Sequence, residues 1–207
     1  MSYVPKEYWL EHGKNYKLNF KYTDNFRLQE KILLDYLQRI TPFSTVLEVG
    51  CGFGRITKLI LSNFSEIREY IATDLSPHQI NEAEKYVNDL RSSRHLGFMV
   101  SDIQSLDFKN KYDLVLASEV LMHVLPSEIE SVIGKLVDMS SKHIIDIDWY
   151  EEKLPRNVAP HNFIHQYEKI YRQSRQVKEV IRIPITKKGL VFKHDTKQSI
   201  FHAIIKF

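Results

Sequence analysis

The stretch VLEVGCGFGRI, residues 46–56, constrains the fold of this chain more than any other. An apolar run leads to Glu48, and glycines then follow at Gly50, Gly52 and Gly54. Glycines between a strand and a helix let backbone N–H groups approach a ligand closely, because no Cβ atom stands in the way. The pattern therefore predicts a buried strand, a ligand-binding turn and a helix, one step of an α/β fold.

Charge and spacing narrow the class of ligand for this turn. The chain contains no GxxxxGK[ST] string, so it has no P-loop. A GxGxxG dinucleotide fingerprint counted from Gly50 would end on a glycine at position 55, where the chain has Arg55. The carboxylate of Glu48 would repel a pyrophosphate but attract a cationic amino group. S-adenosylmethionine has such an amino group, carries no phosphate, and fits both conditions.

Strand and helix patterns alternate along residues 43–150. Apolar strand patterns occur in TVLEVG, EYIATD, GFMVSD, YDLVLASEV and SKHIIDIDWY, and helical patterns in RITKLILSNF, SPHQINEAEKYVNDL and PSEIESVIGKLVDMS. Ser76 is the expected cap of the middle helix, with Pro77 at its first position. This alternation predicts a mostly parallel sheet with helices on both faces.

The two flanks of this core have different patterns. Residues 1–42 predict N-terminal cap helices, and DNFRLQEKILLDYLQRI has near-helical apolar spacing before Pro42. Residues 151–207 predict a substrate-side insertion with a helix in HNFIHQYEKIYRQS, followed by a terminal antiparallel pair in QVKEVIRIPIT and SIFHAIIKF. We therefore expect residues 1–207 to form a single domain.

Composition limits the compartment and the partners. The 207 residues are 43% hydrophobic, and the net charge of +3 is too weak a bias to indicate nucleic acid. The single cysteine, Cys51, cannot form an internal disulfide. The N-terminal residues lack the apolar core of a signal peptide, and no apolar run approaches the roughly 18–20 residues of a membrane span. We expect a cytoplasmic protein without a membrane partner.

With these motifs in order, residues 44–150 resemble class I S-adenosylmethionine-dependent methyltransferases. The resemblance implies that family's doubly wound, mostly parallel seven-stranded sheet, here with an N-terminal helical cap, and S-adenosylmethionine as cofactor. It implies that Asp74 holds the ribose hydroxyls, that Asp102 accepts from the adenine amine, and that Ile103 lies against the ring. The cofactor-binding residues that it implies are Glu48, Gly50, Cys51, Gly52, Gly54, Asp74, Leu75, Asp102, Ile103 and Glu119.

Glu119 and His123, in SEVLMH, are the candidate catalytic residues. If this segment is helical, their i, i+4 spacing places both side chains on one face. They could then supply a general base, a metal ligand or a wall of the methyl pocket, or simply begin a polar helix. His161 and His165 have the same spacing, and with Tyr16 we expect them to line the substrate entrance, although His165 could simply be packed.

A metal site is the alternative for these histidines. Small-RNA 3′-end 2′-O-methyltransferases bind a metal through a similar Glu, Glu, His, His set, with ExxEH after the fourth strand. Met122 occupies the position of the second glutamate here. We therefore predict that no metal is bound.

Three functions remain open from the sequence. The first is a small-molecule methyltransferase, with His123 as the base for O-methylation of a sugar or another metabolite. The second is an RNA or protein methyltransferase, and the third is a non-catalytic adenosyl-binding module. A closed aromatic pocket would favour the first, and a basic stripe at the pocket mouth would favour RNA. The N-terminal aromatic residues could form a lid over such a pocket, or they could be an ordinary packed arm. These residues are Tyr3, Tyr8, Trp9, Tyr16 and Tyr22.

Overall fold

The structure, a computed structural model, describes residues 3–90, 95–150, 159–186 and 198–206. Within these ranges one seven-stranded sheet has the order β3-β2-β1-β4-β5-β7-β6. Its strands are β1 (Thr45–Val49), β2 (Glu69–Asp74), β3 (His95–Val100), β4 (Tyr112–Ser118), β5 (Ser140–Trp149), β6 (Val177–Pro184) and β7 (Gln198–Ile205). The first five pair in parallel, and β7 pairs antiparallel to both β5 and β6. The predicted α/β fold class is confirmed.

Helices cover both faces of this sheet. They are α1 (Pro5–His12), α2 (Tyr16–Asn19), α3 (Asp24–Ile40), α4 (Arg55–Asn63), α5 (Pro77–Tyr86), α6 (Ile129–Asp138) and α7 (Tyr167–Gln173). The core has two clusters of buried side chains, one with α3, α4 and α5 and the other with α6 and α7. Strand β4 serves both, because Leu114 and Leu116 lie in the first cluster and Val115 and Ala117 in the second. No described helix is long and apolar enough to cross a membrane.

One local prediction was wrong. The helix predicted in residues 161–174 begins only at Tyr167, because the Phe163 N–H donates to the Met122 carbonyl at 2.7 Å and holds the preceding residues beside the segment that follows β4. The predicted cap of α5 is confirmed in position, since Ser76 is the N-cap and Pro77 the first residue, although the Ser76 hydroxyl makes no capping bond. Residues 151–158 and 187–197 of the predicted C-terminal region lie outside the described residues.

Candidate active site

A cavity of about 590 Å³ opens at the carboxyl ends of β1, β2 and β4. This is where parallel sheets place their ligand sites. Its walls include Tyr16, His123 and His161 and all of the predicted cofactor-binding residues except Gly54. The cofactor-binding residues on the wall are Glu48, Gly50, Cys51, Gly52, Asp74, Leu75, Asp102, Ile103 and Glu119. One continuous cavity therefore joins the predicted cofactor-binding residues to the predicted catalytic and substrate-binding residues.

The glycine turn forms the floor of the cavity. Its backbone is held from β2, since the N–H groups of Gly50 and Cys51 both donate to the Thr73 carbonyl, at 2.8 and 2.9 Å. Gly52 has a φ of 54°, a left-handed conformation that favours glycine. A Cβ atom on Gly52 would meet nothing closer than Gln79 Oε1 at 3.8 Å and Tyr16 Cε1 at 3.9 Å. The glycine therefore leaves ligand-sized space open above the turn.

Asp74 ties this turn to the start of α5. Its Oδ2 accepts from the Gly52 N–H at 2.9 Å, and its Oδ1 accepts from the Ser76 N–H at 2.8 Å. Burial raises the pKa of the carboxyl, and these two backbone bonds oppose that rise. Each oxygen keeps a second lone pair, so the carboxylate can still accept hydrogen bonds from a ligand.

Glu48 lies beneath the turn, where it is almost fully buried. Its Oε2 accepts from the hydroxyls of Thr57 and, at 2.7 Å, of Tyr70. Burial raises the pKa of Glu48 to about 7, although both hydroxyls oppose the shift. A cationic ligand group beside this carboxyl would stabilise its ionised form.

Asp102 follows β3 at the far end of the cavity. Its Oδ1 accepts from the Gln104 N–H at 3.0 Å, and its Oδ2 lies 3.9 Å from the ammonium of Lys6. Ile103 is partly buried and packs against the α6 cluster, while Cys51 and Leu75 are wall residues near the turn. The Asp102 side chain is about a quarter exposed and remains accessible from the cavity.

Glu119 has a different geometry from the one that we predicted. Its φ of 57° is left-handed, so the backbone leaves β4 by a sharp turn and no helix joins Glu119 to His123. Its carboxylate accepts from the Gln198 amide at 2.6 Å and lies 3.7 Å from the guanidinium of Arg55. The predicted shared helical face is therefore wrong, although both residues line the cavity.

Arg55 is a functional candidate that we did not predict. Its guanidinium donates to Glu30 at 2.8 Å and to Gln29 at 2.9 Å, and it lies over the ring of Phe26. These contacts join the glycine turn to α3. The signal was available, since Arg55 directly follows the last glycine, but its partners lie about 25 residues earlier in the chain.

His123 lies in a short 3₁₀ turn, Leu121–His123, beside the N-terminal aromatics. Its Nδ1 is 2.9 Å from the His161 carbonyl oxygen, so Nδ1 carries the proton and donates. Nε2 is then the unprotonated acceptor. Burial lowers the pKa of His123 to about 4, and its ring lies 4.4 Å from that of Trp9. The imidazole is neutral at physiological pH.

The other two histidines do not form a set with His123. His161 stacks on Tyr8 with ring centroids 4.6 Å apart and lines the cavity. His165 is buried, lies 3.0 Å from the Val124 carbonyl through Nε2, and is absent from the cavity wall. The prediction that His165 lines the substrate entrance is therefore corrected. Within the described ranges, no three His, Cys, Asp or Glu side chains are grouped as metal ligands.

Segment α1 and the residues around it cover the acceptor side of the cavity. Tyr3, Trp9 and Tyr16 line it, and Gln79 fastens the segment to α5 by donating to the Gly13 carbonyl at 2.5 Å. Tyr22 instead bonds Glu30 at the surface. Of the N-terminal aromatics, Tyr3, Trp9 and Tyr16 therefore line the cavity, as either a lid or a packed arm would.

Five polar atoms on the cavity wall are buried without a hydrogen-bond partner among the described residues. They are Trp9 Nε1, Ser76 Oγ, Gln79 Oε1, Ser118 Oγ and Asn162 Oδ1. Buried polar atoms are normally paired, so these are groups that a ligand would satisfy. Most were missed because nothing in their local sequence separates them from ordinary polar residues.

Comparisons with known proteins place the core in a family. Residues 46–142 match the methyltransferase domain family. The chain is 28% identical over 141 residues to phosphoethanolamine N-methyltransferase 1 of Triticum aestivum, covering 65% of this chain and 27% of that protein. It is 29% identical over 110 residues to a malonyl-[acyl-carrier protein] O-methyltransferase of Ilyobacter polytropus, covering 51% of this chain and 40% of that protein. The chain thus spans well under half the length of these curated relatives.

Solved structures agree over the whole fold. Magnesium protoporphyrin IX methyltransferase from Synechocystis PCC 6803 with bound S-adenosylmethionine superposes with a TM-score of 0.74 at 15% identity, covering 99% of each chain. The N-methyltransferase NodS from Bradyrhizobium japonicum with bound S-adenosyl-L-homocysteine gives a TM-score of 0.71 at 16% identity, covering 99% of this chain and all of the other. Residues 46–142 therefore form a methyltransferase domain, within a chain that has the class I methyltransferase fold.

Proposed function

We propose that this protein transfers a methyl group from S-adenosylmethionine to a small molecule. The observation that carries the proposal is the continuity of the cavity. One end has the glycine turn and three carboxyl groups, and the other has the aromatic lid and a neutral histidine. A cofactor and an acceptor can therefore lie side by side in one continuous cavity, as displacement at a methyl group requires.

The residues present fit the proposed cofactor. Glu48 would face its amino group, Asp74 its ribose hydroxyls, and Asp102 with Ile103 its adenine, while Gly52 leaves space above the turn. The orphaned atoms Ser76 Oγ and Gln79 Oε1 supply further polar contacts at the same end. When bound, the cofactor supplies a methyl group activated by its own positive sulfonium, so the protein mainly needs to align the reactants.

His123 is the proposed proton acceptor. Its Nδ1 donates to the His161 carbonyl, which leaves Nε2 free to accept. A base with a pKa of about 4 is poorly matched to the hydroxyl of a sugar and better matched to a more acidic O–H group. The predicted O-methylation is therefore proposed for an oxygen more acidic than a sugar hydroxyl, such as that of a phenol.

The surroundings of the cavity favour a small acceptor over RNA. Lys6 and Arg55 are the cationic side chains on the described part of its wall, and Arg55 is paired with Glu30. The lid is aromatic, whereas an RNA site would carry a basic stripe. The matched relatives are named for phosphoethanolamine and for malonyl-[acyl-carrier protein], and neither name refers to RNA. A cytoplasmic location is part of the proposal.

The experiment is methyl transfer from isotopically labelled S-adenosylmethionine into a cell extract. After incubation, the small-molecule, RNA and protein fractions are separated and counted. We expect label in the small-molecule fraction, lost in a Gly52→Val variant. Label in the RNA fraction would favour an RNA methyltransferase that acts on a 2′-hydroxyl. Tight cofactor binding without transfer to any fraction would favour a non-catalytic adenosyl-binding module.

A further inference from the structure

A second group of polar side chains lies outside the cavity, in the core between β5 and α7. Asp146 and Asp148 are fully buried on the same face of β5. Tyr167 and Tyr171, one turn apart on α7, are also fully buried. Both oxygens of Asp146, Oδ1 of Asp148 and both tyrosine hydroxyls have no hydrogen-bond partner among the described residues. Five unpaired polar atoms in one apolar cluster need a physical explanation.

Among the described residues, the groups that act on this pair include no compensating cation. The two carboxyl groups lie two residues apart on one face of β5, and burial together with the neighbouring Asp146 carboxyl raises the pKa of Asp148. The other groups that act on them are the two tyrosine hydroxyls from α7, the Glu119 carboxylate beyond β4, and a backbone N–H from the Leu121–His123 turn. Two adjacent carboxylates in such a dry site cannot both be ionised without a large cost in free energy.

One bond links this pair to the active site. Asp148 Oδ2 accepts from the Leu121 N–H at 3.0 Å, and Leu121 begins the turn that ends at His123. The same turn is held on its other side by the Phe163 N–H, which donates to the Met122 carbonyl. Asp148 is therefore a positioning residue for His123: it holds the backbone of the turn through Leu121 and does not line the cavity.

We propose that Asp146 and Asp148 share a single proton and that the pair fixes the turn that carries His123. The proton joins the two carboxyl groups in a hydrogen bond and leaves one negative charge. The remaining oxygen of Asp148 accepts from Leu121 whichever residue carries the proton. Burial raises the pKa of Asp146 to about 7 and raises that of Asp148 well above its usual range, in agreement with a proton retained at neutral pH.

Infrared spectroscopy tests the shared proton without any methyl acceptor. At pH 7 the difference spectrum between the wild type and Asp146→Asn should contain the carbonyl stretch of a protonated carboxylic acid. The exposed Asp35→Asn serves as the matched control and should give no such band. Absence of the band in correctly folded wild type, or a stoichiometric metal ion in elemental analysis that accounts for the charge, would overturn the proposal.

The positioning role has its own readout, the ¹⁵N chemical shifts of the His123 ring. Asp148→Asn retains an oxygen that can accept from Leu121 and should preserve the Nδ1–H form. Asp148→Leu should shift the His123 signals and leave those of the exposed His78 unchanged. Unchanged His123 signals in folded Asp148→Leu would refute the role. If Asp148→Leu does not fold, loss of the wild-type signals in Asp148→Asn, which can still accept from Leu121, would refute it equally.

The pair should also be visible in the pH dependence of stability. A carboxyl group with a raised pKa binds a proton on folding, so stability falls as pH rises from the usual aspartate range, near 4, through about 7. Asp146→Asn should flatten this fall. Glu48 titrates in the same range, so the comparison is made in a Glu48→Gln background. An identical slope with and without Asp146→Asn would count against the shared proton.

Discussion

The two ends of the cavity differ in the parts of the chain that form them. At the cofactor end, backbone groups of one continuous turn are held by the neighbouring strand, and three acidic residues lie at or just beyond the carboxyl ends of β1, β2 and β3. At the acceptor end, side chains meet from three segments far apart in sequence, around residues 3–16, 118–123 and 159–162. The first end is encoded locally and the second is assembled by tertiary contacts. We therefore expect the first to tolerate little change and the second to determine which acceptor binds.

The most severe test of the cofactor end is Gly52→Val. A branched residue is strained at a φ of 54°, and its side chain would occupy the space left open above the turn. We expect binding of S-adenosylhomocysteine to fall below detection in calorimetry. Gly134→Ala is the control, because a Cβ atom there meets nothing within 4 Å, and it should bind normally. Normal binding by folded Gly52→Val would mean that the ligand lies elsewhere.

His123→Ala tests the acceptor end. Turnover should fall about 10²-fold, the lower part of the range for general bases, because a base with this pKa is weak. Affinity for the cofactor should not change, and the exposed His78→Ala should behave like the wild type. Since His123 is neutral above about pH 4, it should cause no rise in turnover between pH 6 and 8. Full activity in His123→Ala would mean that His123 is not a general base and that the protein only aligns the cofactor and the acceptor.

Asp74→Ala should have a smaller effect on the cofactor end. The change removes the proposed ribose acceptor and two backbone hydrogen bonds, and should weaken cofactor binding by roughly 1–3 kcal/mol. The exposed Asp35→Ala is the control. Calorimetry gives the dissociation constants of S-adenosylhomocysteine for the Asp74→Ala and Asp35→Ala variants. Equal values would mean that Asp74 only caps the start of α5.

Glu48 should produce the mildest effect, a dependence of cofactor affinity on pH. Only its ionised form attracts a cationic amino group, so affinity should fall as pH drops below about 7, by up to about tenfold per pH unit. Glu48→Gln should bind more weakly at pH 8 and lose this slope. A slope that persists in the variant would assign the titration to another group.

The features that the sequence predicts correctly are those encoded locally, and the features that it misses depend on tertiary contacts. The glycine turn, the strand that ends at Asp74 and α3 were predicted correctly, because glycine spacing and apolar periodicity act over a few residues. His161 and His165 were predicted in one helix, but the Phe163–Met122 bond holds their segment outside α7, which begins only at Tyr167. Glu119 was predicted at the end of the fourth strand, and its left-handed φ accompanies contacts with Arg55 and Gln198, which lie far from it in the sequence. Such partners are invisible without the fold.

The position of β7 has a consequence for how this protein is made. The strand lies between β5 and β6, and its Gln198 completes the Glu119 contact across 79 residues of sequence. On the ribosome, β5 is therefore synthesised well before its partner and presents an unpaired edge until β7 emerges. Such a long-range pairing also slows folding. The nascent chain should thus need protection from aggregation at β5 until β7 has been synthesised, and the Glu119–Gln198 contact should form only then.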